Sequence, residues 1–275
     1  MTIRHSLAGE PILFAPHRGE RPRAFTDDAT LDTCPFCPGH EHETPPELAR
    51  LPNDDADPWR VRVFPNKYPA VDGAEVIVES SRHDDQFEDI AHAADVLRMY
   101  AERLRAHATA PYVALFRNDG ARAGSSIPHV HSQLVPLPFV PPRIARELEV
   151  ATRGCALCDV DGAMIRESDG FTWVAPASSW MPYQQWLVPR RHIASMLDLG
   201  DRELTDLATL LQSATSATRA IGDFNVVMMN FPRGSAAHFY VEILPRVTTI
   251  AGLELGTGTF VEIIDPIAAA LRLRG

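Results

Sequence analysis

Metal-binding residue types occur twice along this chain in one order. Cys34, Cys37, His83 and His129 come first, and Cys155, Cys158, His192 and His238 follow. The two histidines of each set stand 46 positions apart (129 − 83 and 238 − 192). Such a pattern constrains the chain to fold as two copies of one plan.

Local patterns support the duplication. Trp59–Pro65 has its counterpart in Gly170–Pro176, and Val76-Ile77-Val78 ahead of His83 in Gln185–Val188 ahead of His192. After each middle histidine, apolar residues recur three or four apart: Phe87, Ile90, Ala94, Leu97, Ala101 and Leu104, then Leu204, Leu207, Leu211, Ala214 and Ala217. That spacing predicts an amphipathic helix in each half. A β-rich run follows in each, Tyr112–Phe116 and Phe224–Met229, leading to Asn118 and Asn230. Each half is therefore expected to run strands, helix, strands. The expected class is α+β, with two halves of antiparallel sheets and flanking helices packed as one unit, residues 1–145 and 146–275.

At 275 residues the chain is long enough for a substantial core, and 45% hydrophobic with 23% charged residues is ordinary for a soluble globular protein. The net charge of −10, without a run of Lys and Arg, argues against a nucleic-acid partner. No apolar run of about 18 residues is present, so no membrane partner is expected. The first residues lack the apolar stretch of a secretory signal, and the chain is expected to be cytoplasmic. In a reducing compartment two Cys-x-x-Cys pairs favour metal or redox use over disulfides. Two thiolates with two imidazoles suit tetrahedral zinc, giving one or two structural ions with no open position for a catalytic water. The alternative is a set of buried thiols and core histidines.

The halves diverge between residues 118 and 133. There a loop with Asn118, Gly120, Gly124, Ser125 and Ser126 runs into His129, His131 and Gln133. In an extended chain these last three share a face. The small-residue loop would let backbone and hydroxyl donors cradle a phosphate. His131 is the candidate nucleophile, because a neutral imidazole attacks well at pH 7 and a phosphorylated imidazole passes its group on. The second half has Tyr240 and Glu242 where the first has His131 and Gln133, which marks it as scaffold. Arg18 and Arg21 could clamp a diphosphate bidentately, or belong to a solvated loop. The run His40–Glu43 is expected to be an exposed loop. Gly252–Gly258 is expected as a ligand loop or a glycine-rich turn, ahead of a helix from about Pro266 to Leu273.

Together these residues resemble the galactose-1-phosphate uridylyltransferase family, the duplicated branch of the histidine-triad superfamily. The likeness includes Pro16-His17-Arg18-x-x-Arg21-Pro22, Cys34-Pro35-Phe36-Cys37, Phe64-Pro65-Asn66-Lys67-Tyr68-Pro69, the stretch from Asn118 to Gln133, and Gly252-x-Glu254. The paired Cys-x-x-Cys motifs, the central His129-x-His131-Ser132-Gln133 and the Gly252-x-Glu254-x-Gly256-Thr257-Gly258 segment look most similar to the ADP-glucose phosphorylase type within it. Val130 stands where the family has a proline between its active-site histidines, and Leu253 where an aromatic often precedes the glutamate.

The resemblance implies two histidine-triad-like halves and ping-pong transfer of a nucleoside monophosphate from a nucleoside diphosphate sugar through a nucleotidyl-histidine at His131. The acceptor would be a hexose 1-phosphate or, in the ADP-sugar phosphorylase alternative, inorganic phosphate. It further implies that Gln133 and Ser126 contact the transferred phosphate, Arg18 and Arg21 the nucleotide sugar, and Asn66 the nucleoside. Glu254 would reach the sugar from a neighbouring subunit, so a homodimer is implied. The rivals are a nucleotide hydrolase using the same intermediate, and a zinc-stapled nucleotide-binding protein without turnover.

Overall fold

A computed structural model describes residues 2–20, 34–52 and 59–275. The chain forms two compact units, Met1–Arg117 with Ser126–Glu149, and Asn118–Ser125 with Val150–Gly275. The first opens with a hairpin of β1 (Thr2–His5) and β2 (Pro11–Phe14). It continues with β3 (Ala49–Leu51), β4 (Val61–Pro65), β5 (Glu75–Val78), helix α1 (Ala93–Ala106), β6 (Tyr112–Asp119), β7 (His131–Leu137) and helix α2 (Pro142–Ala151). The second holds β8 (Gly162–Glu167), β9 (Phe171–Pro176), β10 (Gln185–Pro189), α3 (Asp201–Arg219), β11 (Phe224–Met229), β12 (Tyr240–Pro245), α4 (Gly252–Thr257) and α5 (Pro266–Arg274).

Strand order repeats. The first half is β3-β4-β5-β7-β6 and the second β8-β9-β10-β12-β11, with antiparallel neighbours throughout. The α+β class with antiparallel sheets is as expected. Register makes the correspondence residue by residue: Val76 lies opposite Gln133 and Ile77 opposite Ser132, as Trp186 lies opposite Glu242 and Leu187 opposite Val241.

The apolar spacing of each long helix becomes its buried face. Val96, Leu97, Tyr100, Ala101 and Leu104 are buried on α1, and Leu204, Leu207, Leu211 and Ala214 on α3. Full burial of each leucine stabilises by about 1.5–3 kcal/mol. In the first half Phe36, Trp59, Phe64, Val76 and Val78 form a cluster, with Cys34 and Ile127 packed on it. Strands β4 and β5 are buried almost throughout, so apolar residues stand on both faces and the charged Arg62 and Glu75 are buried among them.

Two expectations need correction. Gly252–Thr257 is one short helix, not a loop or turn: the Glu254 carboxylate accepts the Ala251 N–H and Gly258 closes the helix with a φ of 68°. Nor is His40–Glu43 a plain exposed loop. Glu41 accepts the Trp59 indole N–H at 2.9 Å, and His40 and Glu43 pair at 3.0 Å, both half-buried. The closing helix spans Pro266–Arg274, with the Asp265 carboxylate accepting the Ile267 and Ala268 N–H groups. Among the described residues no helix is long and apolar enough to cross a membrane.

Candidate active site and metal centres

The turn Cys34–Cys37, closed by the Cys37 N–H on the Cys34 carbonyl, brings two thiols against two imidazoles. The Cys34 Sγ lies 3.6 Å from His129 Nδ1, and Cys37 Sγ 3.4 Å from His83 Nδ1 and 3.6 Å from His129 Nδ1. A tetrahedral zinc with bonds of about 2.3 Å to sulfur and 2.0–2.1 Å to nitrogen needs S···N edges of roughly 3.6 Å, so the donor set fits that ion. His129 Nε2 donates to the Ser80 carbonyl at 2.7 Å, which leaves Nδ1 as its ligand nitrogen. Burial pushes the Cys34 thiol up to about 11 and the His129 imidazole down to about 4. Such a site favours neutral groups until a cation supplies charge.

The second set repeats this geometry inside the other unit. Cys155 Sγ lies 3.5 Å from His238 Nδ1, and Cys158 Sγ lies 3.2 Å from His192 Nδ1 and 3.7 Å from His238 Nδ1. In each set all four candidate ligand atoms lie within 4.8 Å of one another. The sets differ in access, since Cys158 and His192 are exposed whereas no member of the first set is. Both Cys2His2 groups can hold a metal ion.

Two residues after the candidate ligand His129, strand β7 begins at His131. His131 and Gln133 line a cavity of about 270 Å³ whose apolar wall includes Phe36, Phe64, Val76 and Ile127. Asn66 and Ser126 line it too, as do Glu43 and Lys67. The His131 Nδ1 lies 2.8 Å from the His129 carbonyl oxygen. A carbonyl can only accept, so Nδ1 carries the proton and Nε2 the lone pair. Phe36 stands edge-on to His131 at 5.2 Å between ring centroids, which fixes the plane of the imidazole. The Asn66 side-chain oxygen accepts the Tyr68 N–H at 2.9 Å, so its amide presents Nδ2–H as a donor.

The loop ahead of β7 divides. Ser126 belongs with His131 in the first unit, whereas Asn118, Gly120, Gly124 and Ser125 belong to the second. There the Asp223 carboxylate accepts the Arg122 N–H at 2.6 Å, and the Asn225 amide donates to the Asn118 side chain at 2.9 Å and to the Ala123 carbonyl at 2.8 Å. Gly120 has a φ of +89°, and a Cβ there would lie 2.2 Å from the Asp223 carboxyl carbon, so only glycine fits. Arg18 donates to the Tyr68 carbonyl at 2.8 Å and His17 to that of Pro69 at 2.7 Å, which ties this segment to the chain following Asn66. Arg21 lies outside the described residues. Glu254, on α4, caps its own helix within the second unit. The cavity residues Glu43 and Phe36 were not singled out as site residues from sequence; Phe36 sits inside the Cys-x-x-Cys turn, which is the signal that places it.

No family model matches the chain. It is similar to an ADP-glucose phosphorylase of Arabidopsis thaliana, 29% identical over 313 aligned positions that cover 96% of this chain and 89% of that protein. A galactose-1-phosphate uridylyltransferase of Thermotoga maritima is 26% identical over 281 positions, covering 88% of each chain. The crystal structure of an ADP-glucose phosphorylase from Arabidopsis thaliana with bound ADP-glucose has a TM-score of 0.83 to this chain at 29% identity, covering 99% of it and 98% of the other.

Proposed function

We propose that this chain, a relative of ADP-glucose phosphorylase and of the galactose-1-phosphate uridylyltransferases, is a nucleotidyltransferase. It moves a nucleoside monophosphate from a nucleoside diphosphate sugar to a hexose 1-phosphate or to inorganic phosphate, by way of His131. One observation carries the reading: the 2.8 Å bond from Nδ1 to the His129 carbonyl gives a cavity-lining imidazole its lone pair on Nε2.

In the first step Nε2 attacks the α-phosphorus. A P–N bond forms as the bond to the bridging oxygen breaks, and sugar 1-phosphate leaves with the electron pair. In the second step an oxygen of the acceptor phosphate attacks the same phosphorus, and the P–N bond returns its electrons to Nε2. Gln133 and Ser126 supply hydrogen-bond donors to the transferred phosphate. Asn66 meets the nucleoside through its Nδ2–H. The guanidinium groups of Arg18 and Arg21 serve the remaining phosphate oxygens.

Each half holds a zinc ion on its Cys2His2 set. Bound zinc supplies a closed four-ligand cross-link and no catalytic position. The protein acts as a homodimer in which Glu254 contacts the sugar held by the other copy. The exposed apolar side chains around it, Leu253, Leu255, Phe260, Val261 and Ile263, support a partner surface there. Cysteines gathered in metal sets suit a cytoplasmic enzyme of carbohydrate metabolism.

The uridylyltransferase type and the ADP-sugar phosphorylase type share this chemistry; similarity to the Arabidopsis enzyme over nearly the whole chain favours the phosphorylase. Intact-protein mass spectrometry after brief incubation with UDP-glucose or ADP-glucose tests the reading. A nucleotidyl increment from one donor, absent in His131→Ala, is expected and identifies the base. Absence of any adduct under conditions that preserve acid-labile P–N bonds overturns it. Donor consumption without an added phosphate acceptor would instead identify a hydrolase.

A further inference from the structure

His131 is bracketed by one residue that takes no part in the chemistry just described. The Glu79 N–H donates to the Val130 carbonyl at 3.2 Å, on one side of His131. The Glu79 carboxylate accepts from the Ser132 hydroxyl, on the other side. The same carboxylate accepts from the Tyr100 hydroxyl on α1 and pairs with Arg117 on β6 at 3.2 Å. Tyr100 and Ser132 are 2.6 Å apart, which closes the group. Glu79, Tyr100, Arg117 and Ser132 are all at most 3% exposed. Burial, then the Glu79 charge, raises the Tyr100 hydroxyl well above its ordinary range, so it stays a donor.

A buried charge cluster is a costly way to hold strands together. The second half shows that the fold does not require it. Strand register matches Ser132 with Val241 and Arg117 with Met228, and Glu79, directly after β5, with Pro189 at the end of β10. All three counterparts are buried and apolar, and Pro189 has no N–H to donate. Both arms of the bracket are thus missing from the half whose strand carries Tyr240 in place of His131.

We propose that Glu79 is a positioning residue for the nucleophile. It holds β7 on both sides of His131, so that Nδ1 stays on the His129 carbonyl and Nε2 keeps its aim. The inference rests on the nucleotidyl-transfer reading for its consequence in rate, but its structural claim concerns the free protein.

The test follows the His131 ring nitrogens by long-range proton–nitrogen NMR in Ser132→Ala, in Ser132→Thr, and in Glu79→Val combined with Tyr100→Phe, Arg117→Met and Ser132→Val. The combined variant leaves no buried charge or hydroxyl of the cluster behind. Wild type is expected to show one tautomer with the proton on Nδ1. Ser132→Ala and the combined variant are expected to show a tautomer mixture and nucleotidylation slowed by about 10²-fold, with donor KM little changed; Ser132→Thr, which keeps the hydroxyl, should restore both. An unchanged tautomer and rate in folded Ser132→Ala overturn the proposal. If the combined variant does not fold, the Ala and Thr pair decides. If wild type forms no adduct, the functional reading fails while the tautomer comparison still decides the role of Glu79.

Discussion

The two halves share strand order, a long helix and a Cys2His2 set, yet β7 of the first lines a cavity with His131 and Gln133 whereas β12 of the second carries Tyr240 and Glu242 at the matching positions. In the first, Val76 lies opposite Gln133 and both line the cavity with His131. In the second, Trp186 lies opposite Glu242 and packs on Tyr240 at 5.4 Å between ring centroids. Glu242 is fully buried and accepts from Gln184 at 2.7 Å. The shared strand order and a Cys2His2 set therefore do not require an active strand. A few side chains on one sheet face separate the proposed nucleophile from a core, and their exchange is the way to test that division.

The largest effect is expected from His131→Tyr, which gives β7 the residue of β12. Nucleotidylation should fall by at least about 10³-fold, with the urea unfolding curve little moved. The converse, Tyr240→His, should create no second adduct, because a buried Glu242 carboxylate and the Trp186 ring stand where the first half has Gln133 and Val76. Mass spectrometry reads both variants, and a second nucleotidyl increment in Tyr240→His would break the comparison.

The metal sets should behave alike in stability and differently in chemistry. Cys34→Ser and Cys155→Ser are each expected to lower the zinc content from two ions to one and to cost about 3 kcal/mol or more of folding free energy, since ligation is coupled to folding. Only Cys34→Ser should also slow nucleotidylation in the protein that remains folded, because the ligand His129 supplies the carbonyl that holds His131. Native mass spectrometry with urea titration measures the first effect and adduct formation the second. Equal loss of rate in both variants would argue against any separation of scaffold from site.

What the sequence discloses follows from which forces are local. Equal histidine intervals locate both ligand sets, because metal ligation demands particular residue types. Three-and-four spacing locates α1 and α3, because each buries one face. Strand β8 escapes notice: its burial is mostly exposed, with Arg166 and Glu167 at its end, so it lacks the alternation of a half-buried strand. Helix α4 looks like a turn because of its glycines, and a side-chain cap from Glu254 decides otherwise. The loop 118–125 runs straight into β7 in sequence, yet Asp223 and Asn225, about a hundred residues on, hold it in the second unit. Glu79 reads as a polar residue of a Glu-Ser-Ser-Arg run. Only the meeting of β5, α1 and β6 shows why a carboxylate is buried there.

The smallest expected effect is a difference in acid sensitivity. Arg62 on β4 is almost fully buried and pairs with Glu47; its counterpart on β9 by register is Thr172. Burial alone would raise the Glu47 carboxyl, but hydrogen bonds and charge from Arg50 and Arg62 outweigh it and hold it below its usual range. A carboxyl depressed in the folded state contributes stability above its unfolded value of about 4.3, and that contribution is lost as pH falls through the lower folded value. Wild type should therefore lose on the order of 1 kcal/mol more than Glu47→Gln between pH 6 and pH 3, because the partly exposed pair is screened by solvent. Urea midpoints at the two pH values measure it, and equal losses would remove Glu47 from the account. Arg62 also donates to the Thr44 hydroxyl at 2.8 Å, and Thr44 lines the cavity. Protonating Glu47 is thus expected to loosen the wall of the first-half cavity, while Thr172, as an uncharged residue, has no ion pair to lose.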